Sequence, residues 1–435
     1  MTNMKLEPNE VSIMNLLEKL IERTEKRLEK IDETPDPTKL QSNRLGFELE
    51  LDCYKEMLGA WRHGKPLLPY FPSSSLARAL GSQSVVYEGL VPQVPEEAPR
   101  YVQAASNMGL PQYMCDAFVL ANAAAMIGDL PPPSIIAVCP EGTCRVWTYH
   151  LKTLAEHFSV PKFELDVPCE YSEESIKYLA SQLGELVEFA ESNVPGLKYD
   201  QDKHLELIDA NRIFVNYCRK EWEFRKHVPF PLDSLDSFRQ PFHREPALFR
   251  DTAKALEYWR IRVGEIEARV AGGLSKEERM RLLWVWGGPV YVNPVAQLEL
   301  RRVSVPAVML PPTSLFSGRI ANWGDEREFG RKLSPLEEEA RHIIGTGISR
   351  SGRAWAEDVT EACRDLKCDA MLYYQLTGCL HIGSLASLVA DAVETELGIP
   401  TLILAGRLMH PATLSPFEFE YQITQFVDMV MAQKE

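Results

Sequence analysis

The sequence predicts an α/β protein with two Rossmann-like or flavodoxin-like α/β lobes, a helical arm before the first lobe and a helical connector between the two. Three observations point there. At 435 residues the chain exceeds one ordinary core, and length alone favours two or three units of roughly 100–200 residues. Short apolar runs alternate with helix-period patterns in two separate stretches, the rhythm of βαβ units on parallel sheets. Between those stretches, residues 172–275 carry long charged helical patterns.

The arm covers residues 1–64. Ile13, Leu16, Leu17, Leu20, Ile21 and Leu28 recur at three- and four-residue steps among Glu and Lys, which predicts an amphipathic helix over 10–33. Pro35-Asp36-Pro37 ends it, and a second helical pattern over 45–62 stops at the C-cap signal His63-Gly64. The first lobe, 65–171, alternates strand-like and helical runs at 66–71, 76–80, 113–126, 134–138, 146–158 and 162–167. Its Ser134–Val138 run is almost continuously apolar, as expected where helices cover both faces of a parallel sheet. The connector, 172–275, closes near Ala271-Gly272-Gly273. The second lobe, 276–435, opens with Leu282–Trp286 before Gly287-Gly288-Pro289, resumes at 370–374 and 401–404, and ends on a helix over 418–431. Two such lobes would face each other across a cleft lined by loops at the carboxyl ends of strands.

Composition narrows the function classes. A net charge of -15 lacks the basic footprint that nucleic-acid binding needs. Residues 1–10 are polar and acidic, without the apolar core of a secretory signal. The one uncharged run long enough to span a bilayer, 370–390, contains Gln375, Thr377, His381, Ser384 and Ser387, and reads as strand, loop and helix. A cytoplasmic protein with neither membrane nor nucleic acid as partner is expected. The nine cysteines, an odd and scattered set, argue against a disulfide framework and leave some as candidate thiolate ligands.

Several chemistries are missing from the sequence. There is no G-x-G-x-x-G and no Walker loop, so nucleotide chemistry belongs to a partner. H-E-x-x-H, C-x-x-C and G-x-S-x-G are absent as well, which weakens zinc and hydrolase readings. Cys139/Cys144 and Cys363/Cys368 are C-x4-C pairs without the further cysteine of a ferredoxin loop. What remains is positional: Cys115 in Tyr-Met-Cys-Asp, Cys144 in Glu-Gly-Thr-Cys-Arg and Cys379 in Leu-Thr-Gly-Cys-Leu each sit near a predicted turn or strand end. At the starts of helices, backbone amides would stabilise such thiolates.

Cys144 follows Cys115 by 29 residues and Cys379 follows Cys144 by 235. With the segment Pro72–Gly81, the Thr143-Cys144 pair and the ending Gly398-Ile399-Pro400-Thr401-Leu402-Ile403-Leu404, this order resembles the iron–sulfur subunits of the 2-hydroxyacyl-CoA dehydratase and benzoyl-CoA reductase superfamily over most of the chain. The resemblance implies two α/β lobes and a [4Fe-4S] cluster on Cys115, Cys144 and Cys379 at the lobe interface. It also implies a sibling α/β cluster subunit and a CoA thioester substrate. ATP and a second cluster would sit on an ATP-hydrolysing activator, with ferredoxin as the upstream donor. Length and helical arm look closer to the larger cluster-binding subunit of ATP-dependent benzoyl-CoA reductase, which implies one-electron dearomatising reduction of benzoyl-CoA to cyclohexadienoyl-CoA. The alternative within the superfamily is an (R)-2-hydroxyacyl-CoA dehydratase subunit, and the alternative of another class is a scaffold subunit without a cluster. Two departures stand out: Pro72-Ser73-Ser74-Ser75 and Arg145 occupy places where the family often has acidic residues.

The remaining candidates each have a plainer reading. Ser73, Ser74 and Ser75 are substrate-binding candidates, though serines in a turn commonly cap the next helix. Cys139 shares a loop with Cys144 and is its alternative as ligand. Cys53, Cys218, Cys363 and Cys368 fall in or beside helical patterns and read as packing, whereas Cys169 sits at a strand end. Glu141 and His381 flank the proposed ligands and could carry protons. Tyr373 and Tyr374 are neighbours on a strand, so one at most faces a site, and Tyr374 is the candidate. Gly287-Gly288-Pro289 and Arg301-Arg302 would suit phosphate or pantetheine, against the simpler readings of a turn and a solvated face.

Overall fold

The computed structural model describes residues 15–138, 144–238, 244–273, 277–310, 327–346 and 351–434. The chain is mixed α/β, predominantly helical, with parallel strand pairing in both of the expected strand-bearing stretches.

Helices α1 (Leu16–Glu33) and α2 (Ser42–Arg62) form the arm. A reciprocal capping box starts α1: Asn15 Oδ1 accepts from the Glu18 amide and Glu18 Oε2 from the Asn15 amide, both at 3.0 Å. At the end of α2, Gly64 turns left-handed at φ +63°, the stop that His63-Gly64 predicted.

In the stretch that follows, β1 (Leu68–Pro69), α3 (Ser74–Ala79), β2 (Ser84–Val85), α4 (Tyr87–Leu90), α5 (Ala98–Asn107), α6 (Asp116–Met126), β3 (Ile136–Val138), α7 (Arg145–Phe158) and β4 (Lys162–Glu164) succeed one another. The strands make two separate parallel pairs, β1 with β2 and β3 with β4, tied by a hydrogen bond from the Ser134 amide to the Leu67 carbonyl. The predicted helix over 113–126 begins only at Asp116, with Cys115 as its N-cap.

Next come α8 (Glu173–Asn193), α9 (Gln201–Arg225), α10 (Ser234–Phe238) and α11 (Thr252–Gly272). Leu179, Leu183 and Leu186 of α8 pack with Leu68, Ile135 and Ala137 of the preceding stretch. Phe214, Trp222 and Trp259 of α9 and α11 pack instead on the larger sheet.

That sheet is the main architectural element. It contains β5 (Met280–Val285), β6 (Val303–Ser304) and β7 (Val308–Met309), with α12 (Pro294–Leu300) between β5 and β6. After a short hairpin of β8 (Arg327–Glu328) and β9 (Arg331–Lys332) come α13 (Pro335–Thr346), α14 (Gly352–Asp365), β10 (Ala370–Leu376), α15 (Ala386–Leu397), β11 (Thr401–Gly406) and α16 (Pro416–Lys434). The order is β11-β10-β5-β6, with β7 on the same edge of β5 as β6, and every pairing in it is parallel. Pro306, which has no N–H to donate, lies between β6 and β7. Alternating side chains face opposite layers. Leu283, Val285, Met371 and Tyr373 pack with α14 and α15, whereas Leu282, Trp284, Leu372 and Tyr374 pack with Phe419, Ile423 and Val427 of α16. Burial on both faces accounts for the continuous apolar runs of β5 and β10.

Candidate functional site

Cys115, Cys144 and Cys379 come together at the carboxyl ends of these strands. Cys144 follows β3 and Cys379 follows β10, while Cys115 precedes α6. All three belong to one buried cluster at 4%, 5% and 9% exposure; Cys144 and Cys379 both lie close enough to raise the Cys115 thiol, and Cys379 to raise that of Cys144.

Backbone geometry brings them together. Gly378, at φ +84°, lies so close to the preceding helix start that a Cβ there would stand 2.4 Å from the Met114 carbonyl carbon and 2.7 Å from the Cys115 amide. Glycine is therefore required just before Cys379. Arg407, beyond β11, donates to the carbonyls of Gln112 (2.5 Å) and Met114 (3.2 Å), and Asp116 accepts from the amides of Leu408 (3.1 Å) and Met409 (2.8 Å). Cys115 is thus fastened to the ends of β10 and β11 by its neighbours on both sides.

Each thiol also has backbone amides aimed at it. The Gly383 amide donates to Cys379 Sγ at 3.3 Å. Amides of Val146 and Trp147 oppose the protonation of Cys144, the N-cap of α7, and the Ala117 amide does the same for Cys115. Burial nonetheless dominates: it pushes Cys144 up to about 11 and Cys115 well above an ordinary thiol, with Asp116 and Cys379 adding to the latter. A bound cation would reverse that balance, because its positive charge favours thiolate. Among the described residues, no three His, Cys, Asp or Glu side chains converge tightly enough for a single metal ion.

The other candidates fall as follows. Ser73 caps α3, its Oγ accepting from the Leu76 amide at 3.2 Å. Ser75 is fully buried and donates to Glu339, while its Oγ lies 2.8 Å from that of Ser73; Ser74 is half-buried on the first turn. Tyr374 shares the cysteines' cluster, but its hydroxyl donates to the Arg407 carbonyl at 2.7 Å; Tyr373 lies on the other face and donates to the Ile382 carbonyl at 2.6 Å. His381 is half-buried, burial lowers its basicity, and its Nδ1 has no hydrogen-bond partner. Glu141 and Cys139 lie outside the described residues. Gly288 leaves room for the Trp284 ring, 3.2 Å from where a Cβ would be, and the Trp284 indole donates to the Gly287 carbonyl. Arg301 and Arg302 pair with Asp428 and Glu277 at the surface. Cys218 and Cys363 pack inside helices, Cys368 sits buried ahead of β10, Cys53 is half-buried, and Cys169 is exposed.

Three residues near the cysteines carried no signal in the sequence. Asp116 and Arg407 are the clamp just described. Glu88, on α4, lies near enough to influence Cys144, and burial pushes its own carboxyl up to about 7.

Residues 70–430 match the family described as 2-hydroxyglutaryl-CoA dehydratase, D-component, so the chain belongs to that family. It is 22% identical to a benzoyl-CoA reductase subunit of Thauera aromatica over 315 residues, covering 69% of this chain and 71% of that one. Identity is also 22% to the alpha subunit of lactoyl-CoA dehydratase of Anaerotignum propionicum over 331 residues, 72% of each chain. Among the described residues, no helix is long and apolar enough to cross a membrane.

Proposed function

We propose that Cys115, Cys144 and Cys379 hold a [4Fe-4S] cluster and that the chain is the cluster-binding subunit of an ATP-dependent benzoyl-CoA reductase. The observation that carries this is the convergence of three thiols from distant parts of the sequence, each with backbone amides directed at it. The donor set is all sulfur, which suits iron–sulfur chemistry and not a hard cation. When bound, such a cluster supplies single electrons and, on three protein ligands, leaves one iron open. The chain's own part is to keep the thiols dry, to hold their loops through Arg407 and Asp116, and to offer amides to sulfur, which tunes redox potential.

On this reading residues 65–171 and 276–435 form two facing lobes, and the protein works in the cytoplasm beside a sibling subunit. A ferredoxin-fed, ATP-hydrolysing activator delivers the electrons. The second reading, an (R)-2-hydroxyacyl-CoA dehydratase subunit, is favoured by the family description and by the equal identity to a lactoyl-CoA dehydratase. Consumption separates them: a reductase uses electrons and ATP at every turnover, a dehydratase only to prime.

Iron and acid-labile sulfide on anaerobically purified protein test the assignment. About four irons per chain are expected, falling below one in Cys115→Ser, Cys144→Ser or Cys379→Ser and unchanged in Cys53→Ser. Equal iron in all four variants would overturn it.

A further inference from the structure

The carboxyl ends of β1 and β2 hold a group of polar side chains that the cysteine assignment does not use. Tyr70 directly follows β1, and Glu88 lies on α4 just after β2. Tyr70 is only 2% exposed, yet its hydroxyl has no hydrogen-bond partner; Glu88 Oε2 and Trp147 Nε1 are likewise buried and unpaired. These groups pack together. The Tyr70 ring lies 5.3 Å from that of Tyr87, the neighbour of Glu88, and 6.0 Å from that of Trp147. The phenol faces the Glu88 carboxyl closely enough to act on it as a weak hydrogen-bond donor, though not at ordinary hydrogen-bond length, and Glu88 acts in turn on Cys144. Next to them, Phe118 stacks on both Trp147 and His150. His150 Nδ1 accepts from Asn122 Nδ2 at 3.1 Å, which assigns the ring proton to Nε2, and that N–H too is buried without an acceptor.

Buried polar groups are almost always bonded, and each one left unpaired weakens the fold. Tyr70 carries a second burden, because its backbone is left-handed at φ +58°, a conformation disfavoured for a bulky side chain. Strain and unpaired groups maintained together beside a candidate site indicate a bound molecule that completes them. Their place beyond the ends of parallel strands is where ligands of such sheets bind.

We propose that Glu88 and Tyr70 form a hydrogen-bonding clamp for an acyl oxygen of the CoA thioester, either its carbonyl or its 2-hydroxyl. This deepens the function proposed above and rests on it. The oxygen accepts from the Tyr70 hydroxyl and shares a proton with Glu88, while Trp147 borders the same space.

The test uses the full protein, purified anaerobically with any accompanying subunit, as wild type, Tyr70→Phe and Glu88→Gln. Each is titrated calorimetrically with benzoyl-CoA, lactoyl-CoA and free CoA, and each is melted without ligand. Both variants are expected to bind thioester roughly five- to tenfold more weakly, the effect of one lost hydrogen bond. Free CoA should bind as before, and unliganded Tyr70→Phe should melt no lower than wild type. Weakening on both thioesters assigns the carbonyl; weakening on lactoyl-CoA alone assigns the hydroxyl. Wild-type affinity in both variants overturns the clamp and leaves the proposed function intact. A melting point several degrees lower for Tyr70→Phe, or an equal loss of free CoA, also overturns it by making the hydroxyl structural. A wild type that binds neither thioester overturns both proposals.

Discussion

Glu221 and Glu88 are both glutamates with buried carboxyls, and they ionise in opposite senses. Burial alone would raise Glu221, but two arginines outweigh it. Arg262 donates to both carboxyl oxygens at 2.7 and 2.9 Å, and Arg225 donates to Oε1, so the group falls to about 2. Glu88 has no arginine among the described residues: a backbone amide and a loose contact with the Tyr70 phenol pull it down only weakly against burial, its Oε2 has no partner at hydrogen-bond length, and it rises to about 7. The first carboxyl joins α9 to α11 and is finished by the fold itself. The second is left open beside Cys144. Pairing, more than burial or charge, separates scaffold from site.

The strongest way to break this comparison is to open the paired clasp. Arg262→Met leaves Glu221 half-paired in the interior and should cost about 3–5 kcal/mol in urea unfolding; a cost below about 1 kcal/mol would mean the clasp does not anchor α9 to α11. A somewhat smaller effect is expected from Gly378→Ala, where a left-handed backbone and a carbonyl carbon at 2.4 Å both resist the new methyl. We expect ~2–4 kcal/mol there, against ~1 kcal/mol for Gly398→Ala, also left-handed but with open space around it.

The smallest effect concerns pH. A carboxyl lowered by folding adds stability that is present above its ordinary range, near 4.5, and is lost as pH falls toward 2. One raised by folding behaves the other way: its contribution is complete below 4.5 and lost as pH climbs through about 7. Melting curves of the unliganded protein should therefore show Glu221→Gln converging on wild type as acid is added. Glu88→Gln should gain on wild type between pH 4.5 and 7. Parallel trends in the two variants would contradict the assignment of one carboxyl as paired and the other as open.

Much of the helical framework was legible in the sequence, because apolar spacing and punctuation are local. The His63-Gly64 stop and the β5, β10 and β11 runs all follow from neighbours in the chain, whereas the Asn15 cap of α1 was not read from the sequence. The short strands β6 and β7 gave no such signal: Pro306 leaves each of them two residues long, below any usable periodicity. Near the cysteines, legibility failed for a related reason. Arg407 and Asp116 act on backbone atoms nearly 300 residues away in the sequence, and an ordinary Tyr-Glu-Gly-Leu segment conceals Glu88. Ser73 and Ser75 drew attention as ligand candidates, but a cap and a buried partner, Glu339, engage them. Spacing marks residues that repeat; it does not mark those that meet once.

The long interval between Cys144 and Cys379 has a consequence for how the protein is made. Chains emerge at about 5–20 residues per second, so on the ligand assignment above the third thiol arrives roughly ten to fifty seconds after the second. Throughout that time a nascent chain carries two soft ligands and no Gly378 loop to close over them. On that assignment a cluster could be completed only after residue 379 has emerged, and a ribosome stalled in that interval would hold a pair of exposed thiols open to oxidation or to the wrong metal.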